Sequence, residues 1–67
     1  MNDPLIWELE QAAYLHRLRA EFPDFGIVAD FRRPLWIAVR GRHLFVKAPD
    51  GVTLREHLLR ITRRPLP

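Results

Sequence analysis

Leu35-Trp36-Ile37-Ala38-Val39-Arg40-Gly41-Arg42-His43-Leu44-Phe45-Val46-Lys47-Ala48 is the stretch whose reading decides the fold. Two runs of alternating residues flank a glycine, the period-two signature of an antiparallel hairpin. On the first run Leu35, Ile37 and Val39 share one face, with Trp36, Ala38 and Arg40 on the other. On the second, Leu44, Val46 and Ala48 lie opposite His43, Phe45 and Lys47. Gly41-Arg42 suits a two-residue type II′ turn, which takes glycine first. That turn pairs Val39 with Leu44 and Ile37 with Val46, so the branched aliphatics of both strands meet on one face.

Upstream, Phe25 to Phe31 alternates in the same way, with Phe25, Ile27, Ala29 and Phe31 together. A three-residue turn, Arg32-Arg33-Pro34, keeps Phe31 on Leu35's face, whereas a two-residue turn reverses it. The three-residue turn is the expectation, because it gathers the aliphatics into one core. Downstream, Pro49-Asp50-Gly51 is turn chemistry. Thr53-Leu54-Arg55-Glu56 then reads as a capping box opening a last helix over about residues 54–63, with Leu54, His57, Leu58 and Ile61 inward.

The first helix starts at Asp3-Pro4, a cap followed by proline at the first helical position. It runs to Glu21 or Phe22, where Pro23 stops it. On a 100° wheel it carries two apolar arcs. Trp7, Tyr14, Leu15, Leu18 and Phe22 form one; Leu5, Ile6, Leu9, Ala12, Ala13, His16 and Ala20 form the other. One stripe is the rule for a surface helix, so two imply cover on two sides. The expected fold is α+β: a two-layer αβββα domain over residues 1–64, a three-stranded antiparallel sheet with both helices on one face, and a disordered tail at 65–67.

At 67 residues there is room for one domain, near the lower limit of independent folding. No cysteine is present, which excludes disulfides and cysteine zinc sites. No apolar run approaches the ~20 residues that cross a membrane, and the N-terminus is acidic where a signal peptide is basic. A cytoplasmic location is expected. Charge is unevenly spread. Residues 1–24 carry a net −3 and residues 25–67 a net +6, making the overall +3.

In topology the chain resembles the double-stranded-RNA-binding domain, also αβββα at this length. That family reads RNA with a polar first helix, a long loop between its first two strands and lysines opening its last helix. Here the first helix is acidic, the loop is short, and Val52-Thr53-Leu54-Arg55-Glu56 has no lysine, so the binding function is not carried over. A second likeness rests on Leu15-x-x-Leu18-Arg19-x-x-Phe22-Pro23-x-Phe25, Trp36-x-Ala38-x-Arg40 and Leu54-Arg55-x-x-Leu58-Leu59. These are similar to small uncharacterised αβββα proteins of high-GC bacteria, some encoded beside helix-turn-helix regulators. That resemblance implies an accessory regulatory role.

Chemistry has few agents. Serine and cysteine are absent, and Thr53 is spoken for as a cap. His16, His43 and His57 stand on separate elements without metal-ligand spacing. Glu8 and Glu10 point different ways on one helix, and Asp24 and Asp50 sit at turns, where they bond local backbone. The expectation is no enzyme, no metal, no cofactor, no membrane and no small-molecule ligand.

Two surfaces remain as candidates. The Leu5, Ile6, Leu9, Ala12, Ala13, His16 and Ala20 arc is a candidate dimer face, unless the last helix covers it. On the outer face of the sheet, Arg32, Trp36, Arg40, His43, Phe45 and Lys47 are the candidate binding residues. Aromatics interleaved with cations stack single-stranded nucleic acid, but Trp, Phe and Arg also mark protein interfaces. The expected function is a small non-catalytic interaction module that associates with itself or another protein; the alternative is a nucleic-acid-binding domain using the outer face.

Overall fold

The computed structural model describes residues 4–63, in the order α1 (Pro4–Glu21), β1 (Gly26–Asp30), β2 (Leu35–Arg40), β3 (Leu44–Ala48) and α2 (Gly51–Thr62). The Asp3 cap and the tail at 65–67 lie outside these residues. The strands form an antiparallel meander, β1-β2-β3, with β2 in the centre. Both helices pack on one face of it, giving the expected two-layer α+β architecture.

The core lies between the layers. Leu18 and Phe22 of α1, Leu54 and Leu58 of α2, and Phe25, Ile27, Trp36, Ala38 and Ala48 of the sheet side are all buried. β1 has the expected phase: Phe25 and Ile27 are buried, and Ala29 and Phe31 pack half-buried against the same cluster.

The central strand is turned over relative to the sequence expectation. Trp36 is 3% exposed and Ala38 fully buried, while Leu35, Ile37 and Val39 face outward. Both turns are one residue longer than expected. Asp30 pairs with Leu35, leaving a four-residue connection over Phe31–Pro34. Arg40 pairs with Leu44, leaving Gly41-Arg42-His43. A one-residue shift in register moves every side chain of a strand to the other face; two such shifts move β2 alone and keep β1 and β3 in phase.

Packing explains the choice. An indole carries a larger apolar area than any aliphatic side chain, and here it stands among the small residues Ala29, Ala38 and Ala48, which let the helices come close. Trp36 meets Tyr14 edge-on at 6.1 Å between centroids and Phe31 at 6.1 Å; Phe31 in turn meets Trp7 edge-on at 6.4 Å.

The turns are fixed by specific groups. Gly41 has φ +63°, a left-handed conformation that glycine adopts without a Cβ clash. Asp30 accepts the Arg32 backbone N–H at 2.9 Å and the Arg33 Nε–H at 2.9 Å. The second helix opens three residues earlier than the capping-box reading. Its cap is Asp50, whose Oδ1 accepts the Thr53 N–H at 2.7 Å. The earlier start lets Gly51 sit buried against Tyr14 and Trp36. Leu54 and Leu58 face inward as expected and His57 is half-buried, but Ile61 is exposed.

Candidate functional site

The six residues expected on the outer sheet face are not brought together. Trp36 is in the core. Arg40 lies at the end of the helix-covered face, its guanidinium 5.0 Å from the centroid of the Phe25 ring. Arg32 and His43 are in turns. Phe45 and Lys47 alone remain on the outer face as expected. Their neighbours are set by register: Gly26–Val39–Phe45 form one cross-strand row and Val28–Ile37–Lys47 the next, with Asp30–Leu35 beyond. Val28 is 54% and Phe45 61% exposed. This face is mostly aliphatic, carrying Phe45, Lys47 and Asp30, rather than aromatic and basic.

The α1 arcs separate cleanly. Tyr14, Leu15, Leu18 and Phe22 pack on the core, and Trp7 reaches Phe31. The opposite arc points away from the sheet. Ile6, Leu9, Ala12, Ala13, His16 and Ala20 are all exposed, with Leu9 at 60%, and Leu5 is exposed at its N-terminal end. The second helix does not cover this arc. It lies beside the C-terminal half of α1, joined to it by a two-pronged ion pair: Arg55 Nε and Nη2 donate to Glu21 Oε1 and Oε2, each at 2.8 Å. These hydrogen bonds hold the Glu21 carboxyl below its ordinary value and raise Arg55.

Flanking the exposed arc are Glu8 and Arg19 on one side, Glu10, Arg17 and Glu21 on the other. Both cations make contacts within the chain. Arg19 Nε and Nη2 donate to the Ile27 carbonyl at 3.0 and 2.8 Å, tying α1 to the β1 backbone. The Arg17 guanidinium stands 5.5 Å from the centroid of the Tyr14 ring. Glu8 and Glu10 make no salt bridge with another described residue.

Among the described residues no three His, Asp or Glu side chains cluster as metal ligands, and no buried side-chain nitrogen or oxygen lacks a partner. No described helix is long and apolar enough to cross a membrane. Sequence reasoning did not pick out the aliphatic outer face; its signal was the Leu35-Ile37-Val39 alternation, assigned to the wrong side. No family model, no curated protein and no solved structure matches the chain.

Proposed function

We propose that this chain is a small non-catalytic protein-interaction module that associates with itself through the exposed arc of α1. The observation that carries the reading is the run Ile6, Leu9, Ala12, Ala13 and Ala20, exposed along four turns of a helix whose other side is already packed. A helix apolar on both sides has more apolar surface than its own sheet covers. Small residues at the middle of the arc allow two helix axes to approach closely, and two-fold closure is the commonest arrangement for identical chains.

Mass in solution at micromolar concentration tests it: the wild type is expected to sediment as a dimer. Leu9→Glu or Ala13→Glu is expected to give a monomer with the sheet signal intact. A wild type that is monomeric at high concentration defeats the reading.

The alternative, a nucleic-acid-binding domain, draws on the net +6 of residues 25–67. With Trp36 inside, Phe45 is the single aromatic ring on the outer sheet face among the described residues, a poor stacking platform. Weak binding that falls steeply with salt is expected; tight sequence-selective binding at physiological salt would favour the alternative.

A further inference from the structure

The arc of α1 and its charged flanks also have a direction. Resting on the self-association proposed above, we infer that the partner is a second copy whose α1 runs antiparallel, with Glu10 facing the partner's Arg17 and Glu8 the partner's Arg19.

Two independent features of α1 carry this. The first is volume. Ile6 and Leu9 make the N-terminal end of the arc bulky, while Ala20 makes its C-terminal end small. Antiparallel pairing sets the bulky end of each helix against the small end of the other. Parallel pairing sets isoleucine against isoleucine at one end and alanine against alanine at the other, which leaves a void. Close packing disfavours both the crowding and the void.

The second feature is charge. A two-fold axis perpendicular to antiparallel helices places each flank against the same flank of the partner. One flank carries Glu8 and Arg19, the other Glu10, Arg17 and a Glu21 already bound by Arg55; the Glu8–Arg19 and Glu10–Arg17 pairs are both centred midway between Ala13 and Tyr14. The Leu9/His16 and Ala12/Ala13 pairs of the arc are centred one residue earlier, about 1.5 Å along the axis, well within the reach of glutamate and arginine side chains. Each flank is therefore self-complementary when one copy is inverted. Parallel pairing places Glu8 beside the partner's Glu10 and Arg17 beside the partner's Arg19, which is repulsive at both ends.

Both cations keep a place on the flanks of α1: Arg19 bonds the Ile27 carbonyl with Nη1 outside that contact, and Arg17 stands beside the Tyr14 ring. The sheets lie on the far side of each α1 and stand outside the paired helices, while each α2 lies beside the Glu10 and Arg17 flank.

Because the chain has no cysteine, orientation can be read by single introduced thiols at exposed positions. Mixing Ile6→Cys protein with Ala20→Cys protein under mild oxidation is expected to give the mixed cross-linked species, with little self-cross-linking of either alone. Self-cross-linked Ala20→Cys without the mixed species overturns the orientation and leaves self-association standing. A wild type that remains monomeric by sedimentation overturns both.

Charge reversal supplies a separate readout. Glu10→Arg and Arg17→Glu are each expected to weaken association about tenfold, from exposed pairs that occur twice in the dimer. The double variant Glu10→Arg/Arg17→Glu is expected to return close to the wild type. A double variant as weak as the singles rules out the Glu10–Arg17 pairing.

Discussion

A methyl group at position 51 would have to share space with an aromatic ring. An ideal Cβ on Gly51 falls 2.6 Å from Tyr14 Cδ2 and 3.0 Å from Trp36 Cη2. Tyr14 stands edge-on against Trp36, which in turn is set against Phe31, so neither ring has much room to give. Alanine is the better helix former by up to ~1 kcal/mol, but overpacking costs about 1–3 kcal/mol, so the clash decides. Gly51→Ala is expected to lower the urea midpoint with an unchanged slope. One residue earlier, Asp50→Ala removes the cap and is expected to cost about 1 kcal/mol. The Thr53 backbone N–H holds the Asp50 carboxyl below its ordinary 3.8, and the Arg55 hydrogen bonds hold Glu21 below its ordinary 4.5. Carboxyls depressed in the folded state contribute stability that is present above their unfolded values and lost as pH falls through their folded values. Stability is therefore expected to decline on acidification below about pH 4.5, and Asp50→Asn is expected to flatten part of that decline. Denaturant titrations at stepped pH read both.

Among the elements, β2 tests the architecture most sharply. Trp36→Ala opens a cavity in the core and is expected to cost about 3–5 kcal/mol, whereas Phe45→Ala, on the open face, is expected to stay within about 0.5 kcal/mol. Equal effects would mean that the strand is not turned over as described. The contrast also shows what the sequence made legible. Element order, the bounds of α1 and the inward phase of β1 followed from periodicity and from Pro4, Pro23 and Pro34, each of which restricts the backbone near it. The phase of β2 did not, because both of its faces are apolar: Leu35, Ile37 and Val39 compete with Trp36 and Ala38. Turn length settles that competition, and hydrophobic pattern carries no information about whether His43 belongs to the turn or to the strand. The start of α2 was ambiguous for a similar reason, since Asp50 and Thr53 are both good caps. Of the two candidate surfaces, the α1 arc depended only on helical period and stays together as one face; the outer sheet face depended on β2 and changed in composition.

At the scale of the whole molecule, α1 at 18 residues spans about 27 Å, while β2 at six residues spans about 20 Å. The longest helix thus lies over a shorter sheet and presents its second apolar side outward. If identical chains pair through that side, folding and association share one equilibrium. The melting temperature is then expected to rise with protein concentration, and that of Leu9→Glu to be independent of it; differential scanning fluorimetry over a dilution series distinguishes the two. The exposed arc of α1 and the aliphatic outer sheet face point in opposite directions, and this has a consequence for growth at high concentration. Helix-to-helix pairing closes on itself and stops at two. Helix-to-sheet stacking joins two different patches, so each added copy offers a fresh patch for the next and nothing terminates the series. Lys47 and Asp30 are the charges on the sheet side that stand against such a filament.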